Sequence, residues 1–387
     1  MNNPYQGREQ TQAKHDILKR YLQALTFKLM EFGQKELTYV DGFSGPWESK
    51  TQDFSDTSFK IAISVLEDAF AKYNTAEKPR TFRCIFVEKN KAAYQRLKQA
   101  VEPYNKPDAQ FHVTALHGEF EVMAPMIEAQ LGRSFALIFV DPTGWTGFSF
   151  DKIGSLLTHR PGEVLVNFMF DFVNRASSMT DPKTIASLDP ILGGAGWQDR
   201  LDPHLPKGHA VEQLFRDELR KAGQYKWVVS TPIDRPTSDR ELFFLVYGTR
   251  NDTGLKTFRD IEYKALKTYE GQRSKAKETK KIKKTNQPGL FGADDLPLQQ
   301  AESIDRYVES EAVYARDWIV ELLRECRRPI KFGDLCLKVI EVFRLRETNV
   351  KDICVALGNE GTICTPWRAL GPRNKPKEAD AIQIVGA

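Results

Sequence analysis

Apolar and polar residues alternate in blocks along the chain before residue 250, and these blocks predict strands and helices in turn. Short runs that are apolar almost throughout occupy residues 37–41, 81–88, 111–119, 135–141 and 163–170. Between these runs, apolar residues recur every three to four positions, which is typical of amphipathic helices. Strands buried on both faces and separated by helices predict a mostly parallel sheet that helices cover on both sides.

Two further apolar runs, residues 226–230 and 241–248, are too close together for a helical crossover between them. We therefore expect an antiparallel pair at the end of the sheet. Five strands joined by crossovers and a terminal hairpin predict an α/β fold with a seven-stranded, Rossmann-like methyltransferase sheet. Residues 171–225, where apolar residues become sparse, are expected to form an insertion of helices and loops.

The C-terminal part of the chain has a different composition. Residues 271–304 combine clustered lysines with proline and glycine, which indicates a solvated linker or, alternatively, a basic arm for a phosphate backbone. Amphipathic segments at 312–325, 331–342 and 349–357 precede a Gly- and Pro-rich end with an apolar run at 382–385. We expect residues 358–387 to supply a small β-hairpin, and short helices followed by a hairpin predict a winged helix. The expected parts are a methyltransferase-like domain (1–270), a basic linker (271–304) and a winged-helix domain (305–387).

Composition restricts the classes of protein. No run approaches the roughly 18 apolar residues of a membrane span, and no basic-then-apolar leader opens the chain, so we expect a cytoplasmic protein without a membrane partner. Five cysteines without a CxxC pair argue against a disulfide framework and a simple zinc ribbon, and no metal is predicted. Cys336 and Cys354 lie among apolar helix positions, which predicts buried structural thiols. The net charge of +4 permits a nucleic-acid partner without requiring one.

The loop after the first predicted strand is the clearest candidate for ligand chemistry. Asp41 ends the strand, and Gly42, Phe43, Ser44 and Gly45 follow in a tight turn. Glycines allow backbone N–H groups to approach a ligand closely, and in open α/β sheets ligands bind at the carboxyl ends of the strands. The alternative is an ordinary strand–loop connection with a turn aspartate.

Three later strands end in a similar way, at Glu88, at Gly118 and Glu119, and at Asp141. A carboxylate at the second strand end can accept both ribose hydroxyl hydrogens, and a polar side chain at the third can meet an adenine amine. A dinucleotide would require G-x-G-x-x-G opening directly into a helix, and this pattern is absent after Gly45. The predicted cofactor is therefore S-adenosylmethionine.

Three short stretches carry a resemblance to a known family: Lys14-His15 with Tyr21-Leu22, residues 39–46, and residues 139–142. Together they resemble the three-Cys-motif partner proteins (TcmP), which are bacterial and phage-borne proteins with a methyltransferase-like fold. The resemblance extends over roughly residues 11–265. It implies a companion protein with a three-cysteine, radical-S-adenosylmethionine-like motif. Lys14 and His15 join the predicted cofactor-binding residues, with a solvated helix start as the alternative.

Asp141 and Pro142 also resemble the start of the D-P-P-aromatic motif of amino-methyltransferases. In that motif the Asp accepts hydrogens of the target amine, and the aromatic ring stacks on an extruded base. Here Thr143 replaces the second proline, Trp145 stands one position late, and Trp47 replaces the glycine expected after Pro46. The predicted catalytic residues are Asp141, Pro142 and Trp145, and the alternative for Trp145 is a core or lid aromatic.

Two functions from different classes follow. The first is an S-adenosylmethionine-dependent amino-methyltransferase acting on nucleic acid, DNA rather than RNA. The second is a non-catalytic, nucleic-acid-binding partner of a three-Cys-motif protein in DNA repair or phage defence. A methyltransferase for small molecules is disfavoured by the C-terminal domain. The candidate nucleic-acid contacts are Lys280, Lys281, Lys283, Lys284, Arg346, Asn349 and Lys351.

Overall fold

A computed structural model describes residues 4–45, 49–177, 181–285, 296–326, 328–369 and 373–386, with the backbone alone at 283–285 and 296–303. The chain divides into two units, Met1–Arg250 and Asn251–Ala387. In the first unit the strands are β1 (Glu36–Asp41), β2 (Thr81–Glu88), β3 (Phe111–His117), β4 (Phe135–Val140), β5 (Gly162–Phe168), β6 (Trp227–Asp234) and β7 (Glu241–Thr249). The α-helices are α1 (Glu9–Glu31), α2 (Ser58–Tyr73), α3 (Lys91–Val101), α4 (Phe120–Leu131), α5 (Phe150–Thr158), α6 (Phe170–Ser177), α7 (Pro182–Ala186) and α8 (Lys207–Gly223).

The strands form one seven-stranded sheet in the order β3-β2-β1-β4-β5-β7-β6. Strands β1 to β5 run parallel, and β7 runs antiparallel between β5 and β6. The predicted mostly parallel sheet with a terminal antiparallel pair is confirmed, and its strand order is that of the class I methyltransferase fold. From β1 the chain proceeds to β2 and β3 on one side of β1, and it then returns to place β4 on the other side. The carboxyl ends of β1 and β4 therefore form the switch point where ligands bind in such sheets.

The central strands are buried on both faces, as their continuous apolar sequences predict. Val40 of β1, Ile138 of β4 and Val166 of β5 lie in one core with apolar side chains of α4, α5 and α8. Trp197, from the segment predicted as an insertion, is fully buried in the same core. Residues 171–225 therefore supply helices that cover one face of the sheet.

The second unit, Asn251–Ala387, starts with a helix that continues through the lysine cluster of the segment predicted as a linker. It contains α9 (Asp252–Thr285), α10 (Leu296–Glu325), β8 (Ile330–Lys331), α11 (Phe332–Val342), α12 (Glu347–Asn359), α13 (Pro366–Ala369) and β9 (Ala381–Ile382). Lysine is a good helix former, and residues 255–287 lack proline, so the helix continues into the segment predicted as a linker. Residues 286–295 of that segment lie outside the described residues.

The C-terminal strand differs in its pairing from the predicted hairpin. Strand β9 pairs antiparallel with β8, which precedes α11, and a separate bridge joins Ile363 to Ile384. Two-residue strands carry too little periodicity for the sequence to identify their partner. Cys336 and Cys354 are fully buried, which confirms the prediction for these two thiols. Within the described residues, no helix has the length and apolar character needed to cross a membrane.

A buried ion pair stabilises the second unit. Arg259 Nη1 lies 2.7 Å from Glu262 Oε2, and the two side chains are only 2% and 3% exposed. Arg259 Nε also donates to the carbonyl oxygen of Ile340 at 2.7 Å, which ties α9 to the end of α11. The pair therefore joins two helices as well as satisfying two buried charges.

Replacing Arg259 by methionine should lower the free energy of unfolding of the second unit by about 3–5 kcal/mol, because the buried Glu262 carboxylate would lose the Arg259 charge and the Ile340 carbonyl its donor. Urea denaturation of the full chain measures this change. Arg316→Met is the matched control, since Arg316 pairs with an exposed carboxylate of Glu360 and should cost only about 0–1 kcal/mol. Equal effects of the two substitutions would contradict the role assigned to Arg259.

Candidate functional site

A cavity of about 820 Å³ opens at the carboxyl ends of β1 to β4, and we call it the first cavity. Its size is within the usual range for small-molecule sites, roughly 300–1,000 Å³. All four predicted strand ends contribute to it. The lining includes Gly42, Phe43, Glu88, Asn90, Gly118, Glu119, Asp141, Pro142 and Thr143.

The loop after β1 is held by backbone hydrogen bonds to both neighbouring strands. The Gly42 N–H donates to Phe139 O of β4, and the Ser44 N–H donates to Val87 O of β2. A Cβ atom on Gly42 would lie 2.8 Å from the Phe120 ring, so only glycine lets the loop pass this close to α4. The loop is therefore preformed at the edge of the first cavity.

The Asp41 side chain holds the loop through hydrogen bonds. It lines neither described cavity, which differs from its predicted contact with the cofactor. Its Oδ1 accepts the Phe43 N–H at 3.0 Å, and its Oδ2 accepts the Ser58 hydroxyl at 2.7 Å. Burial raises the pKa of the Asp41 carboxyl to about 6, although these hydrogen bonds act in the opposite direction. Ser44 is likewise fully buried, and its hydroxyl donates to Asp41 O.

Glu88 presents a carboxylate to the first cavity from the end of β2. Its Oε1 accepts the Asn90 N–H at 2.6 Å, which orients the carboxylate, and the side chain of Asn90 in turn caps α3. Among the described residues, Glu88 Oε2 has no hydrogen-bond partner. One carboxylate oxygen is thus available to a ligand in the position that the sequence predicts.

A second cavity, of about 420 Å³, adjoins the first at the loops after β1 and β4. The two cavities share Phe43, Asp141, Pro142 and Thr143. The second is also lined by Gly45 of the β1 loop and by residues of α1, β5 and β7. Lys14 and His15, predicted to bind cofactor, line this second cavity and not the first.

Asp141 lies at the junction of the cavities and accepts three hydrogen bonds. Lys14 Nζ donates to Asp141 Oδ1 at 2.7 Å and to Oδ2 at 2.6 Å, and Asn167 Nδ2 donates to Oδ1 at 2.7 Å. The Lys14 and Asp141 side chains are only 11% and 16% exposed. These donors fill three of the roughly four acceptor positions of the carboxylate, which leaves a target amine one position on Oδ2.

His15 is a neutral side chain of the second cavity. Burial and the neighbouring Lys14 charge lower the pKa of its imidazole to about 3. Its Nδ1 forms a 3.0 Å hydrogen bond with the Tyr5 hydroxyl, and the two rings meet edge to face. The imidazole therefore adds no positive charge to the cavity near neutral pH.

Trp145 lines neither described cavity, which differs from its predicted role in stacking on a base. Its indole Nε1 donates to Ser187 Oγ at 2.9 Å, and the ring packs against the hydrophobic core. An indole N–H that finds an acceptor inside the protein holds its ring there. The core alternative for Trp145 accounts for its position, and Phe43 is the aromatic side chain common to both cavities.

The predicted nucleic-acid residues of α12 make contacts within the second unit. The Arg346 guanidinium lies 3.7 Å from the Tyr263 ring centroid, and Asn349 Oδ1 accepts the Arg346 N–H to close the start of the helix. Lys351 pairs with Glu347 one turn earlier. Lys280 and Lys281 lie on α9, whereas the side chains of Lys283 and Lys284, together with Pro46 and Trp47, are outside the described residues.

The sequence analysis missed Asn167 and Gln10, which line the second cavity. Asn167 had a usable signal, because it is a polar residue near the carboxyl end of an otherwise apolar strand, as at the four other strand ends. Gln10 had none, since it lies before the apolar stripe of α1. Across the described ranges, no group of three or more His, Cys, Asp or Glu side chains could hold a metal ion.

Comparisons with known proteins add little to this geometry. No protein-family model and no curated protein sequence matches the chain. Among solved structures, the chain is similar to a loganic acid methyltransferase with SAH, at 9% identity and a TM-score of 0.29, over 80% of this chain and 92% of that one. A likeness this distant does not bear on the ligand or reaction of this chain, and the resemblance to the TcmP family stays a prediction.

The raised pKa of Asp41 predicts a pH-dependent stability. The folded state binds this proton more tightly than the unfolded chain, so the contribution of Asp41 to stability falls as the pH rises from about 4 to about 6. In Asp41→Asn this titration is absent. The unfolding free energy of the variant minus that of the wild type should increase by about 3 kcal/mol between pH 4 and pH 7, because one pKa unit corresponds to about 1.4 kcal/mol.

Urea denaturation at several pH values measures this difference, and subtraction removes the contributions of all other titrating groups. A difference that stays constant between pH 4 and pH 7 would contradict the environment assigned to Asp41.

Proposed function

We propose that the first cavity binds S-adenosylmethionine and that the chain is a methyltransferase for an acceptor beside Asp141. The observation that carries this proposal is the convergence of four strand ends on one cavity in a sheet with methyltransferase strand order. A lone glycine loop or a lone carboxylate would be a weak signal. Their meeting at the topological switch point makes a nucleoside cofactor the best-supported ligand.

The residues of the first cavity fit such a cofactor. Glu88 Oε2 is available to accept a ribose hydroxyl, and Glu119 with the backbone of Gly118 lies at the third strand end, where an adenine would be met. Gly42 of the preformed loop lines the cavity at the end of β1, where the amino-acid end of the cofactor would lie. When bound, the cofactor supplies an activated methyl group, and the protein's part is to orient an acceptor towards it.

We propose that the methyl acceptor is an amine of a nucleic acid, with DNA favoured over RNA. We also propose that the protein is cytoplasmic. Asp141 lies where the two cavities meet, so an acceptor in the second cavity is next to the cofactor site. The second unit supports a polymer substrate through its element order, in which α10, β8, α11 and α12 precede the Ile363 bridge and β9. That order fits a winged helix. Lys280 and Lys281 on α9 are the remaining candidate phosphate contacts.

The second candidate function is a non-catalytic partner, as the TcmP resemblance implies, serving a three-Cys-motif radical-S-adenosylmethionine-like protein in DNA repair or phage defence. Two observations favour it: Lys14 and Asn167 occupy the Asp141 carboxylate, and Trp145 lines neither cavity. Both observations concern residues predicted to act in methyl transfer, and neither changes the residues proposed to bind the cofactor.

Calorimetric titration with S-adenosylmethionine tests the cofactor proposal. Glu88→Gln should weaken binding by roughly 10–100-fold, because a charged acceptor of hydroxyl hydrogens contributes about 1.5–3 kcal/mol. Glu121→Gln is the matched control, since Glu121 lines the same cavity but its oxygens already bind the Ser149 N–H and Lys152. Absence of binding to the wild type at millimolar cofactor would exclude this ligand.

Transfer of labelled methyl groups separates the enzyme from the partner. We expect label from S-adenosylmethionine to enter DNA, and Asp141→Asn to slow transfer on the order of 100-fold with a much smaller effect on cofactor binding, because Asp141 lies at the junction of the two cavities beside the acceptor. RNA and a mixture containing the companion protein are run in parallel. Cofactor binding without transfer to any of these acceptors would favour the non-catalytic partner.

A further inference from the structure

The side-chain amide of Asn167 has a fixed orientation that leaves its oxygen unsatisfied. Its Nδ2 donates to Asp141 Oδ1 at 2.7 Å and to Met169 Sδ at 3.3 Å. Turning the amide over would place Oδ1 against a carboxylate oxygen, and two acceptors repel one another. In the observed orientation Asn167 Oδ1 is buried and has no partner among the described residues, and the whole residue is only 3% exposed.

Gln10, on α1, adds a second acceptor of the same type to the second cavity. Its Oε1 is also buried and has no hydrogen-bond partner in the described part of the chain. Buried polar atoms in folded proteins are nearly always hydrogen-bonded, and those left over commonly await a ligand or an ordered water. Two residues that line one cavity thus each carry an unsatisfied amide oxygen, and a ligand with more than one hydrogen to donate would satisfy both.

The charges that line the second cavity are already paired within the chain. Arg8 Nη2 lies 2.8 Å from Asp56 Oδ2, and Lys14 Nζ lies 2.6 Å from Asp141 Oδ2. Among the described lining residues these four carry the formal charges. A charged ligand would enter the cavity without a free counter-ion and would lose its hydration, so an uncharged ligand is favoured.

We propose that the second cavity binds an uncharged, planar group with N–H donors, of the amide or exocyclic-amine type, and that Asn167 Oδ1 accepts one of its hydrogens. The rings of Phe43 and Phe243 line the same cavity and provide apolar surface for a planar group. A hydroxyl group donates one hydrogen, whereas an –NH2 group donates two, which matches the two amide oxygens. This inference rests on the proposed function in one respect, that the group bound here is the methyl acceptor.

Ligand-observed NMR on the full-length protein tests the proposal with a matched series of probes. Benzamide, benzoate and benzylamine share one ring and differ in charge and in the hydrogens they donate. Benzamide and cytosine should bind at millimolar concentrations, and benzoate and benzylamine should bind at least 10-fold more weakly. Benzoate or benzylamine binding as tightly as benzamide would overturn the proposal, and so would absence of benzamide and cytosine binding.

Two variants locate the binding. Asn167→Leu keeps the number of side-chain heavy atoms and removes the acceptor together with the Nδ2 donor to Asp141, so it should weaken benzamide binding at least 10-fold. Gln10→Met is the milder variant, at a half-buried position of α1, and should weaken it several-fold. Unchanged benzamide affinity in both folded variants would overturn the assignment, and Gln10→Met decides alone if Asn167→Leu does not fold.

Titration of S-adenosylmethionine into the same samples separates this inference from the proposed function. Cofactor affinity should be equal in the wild type and in both variants, because neither residue lines the first cavity. Benzamide binding that depends on Asn167 without any cofactor binding would end the methyltransferase proposal and keep the ligand site. Cofactor binding without benzamide binding would end the proposal of the ligand site and keep the methyltransferase proposal.

Discussion

The parallel pairing of β1 with both β2 and β4 is the constraint on which the rest of the site depends. Asp41, the last residue of β1, is in register with Phe86 of β2 and Phe139 of β4, so the following loop emerges between two strand ends. The N–H groups of Gly42 and Ser44 extend the hydrogen bonding into that loop. Phe43 is thereby held between the two cavities, and each cavity takes its shape from sheet geometry.

The ion pair between Lys14 and Asp141 places two charges in a largely buried position, whereas the surrounding core is apolar. Lys14 comes from α1 and Asn167 from β5, and both converge on a carboxylate that follows β4. Removing two charges from water costs free energy that their attraction only partly returns, so a buried pair is weak evidence of selection for stability. Its position at the junction of the two cavities favours a role in ligand binding.

The sequence predicted the sheet and the strand ends that line the first cavity, because strand burial and strand ends are local patterns. Glu88 and Gly118 were identified this way, and both line the first cavity. Contacts between distant elements were not predictable: the sequence shows that Lys14 starts a helix, but not that it reaches Asp141, 127 residues away. The position of the Trp145 ring was not predictable for a related reason, since spacing within a motif does not determine which side of a loop a ring occupies.

Asn167 offers the acceptor atom that the amino-methyltransferase motif assigns to its aspartate. In that motif the carboxylate itself accepts the amine hydrogens, but here Lys14 and Asn167 already occupy three of the roughly four acceptor positions of Asp141. A neutral amine that replaced Lys14 would exchange an ionic hydrogen bond for a weaker one and leave an ammonium group unpaired. Binding to Asn167 Oδ1 breaks no existing contact. The role of acceptor is therefore better suited to the amide, with Asp141 and Lys14 holding that amide in place.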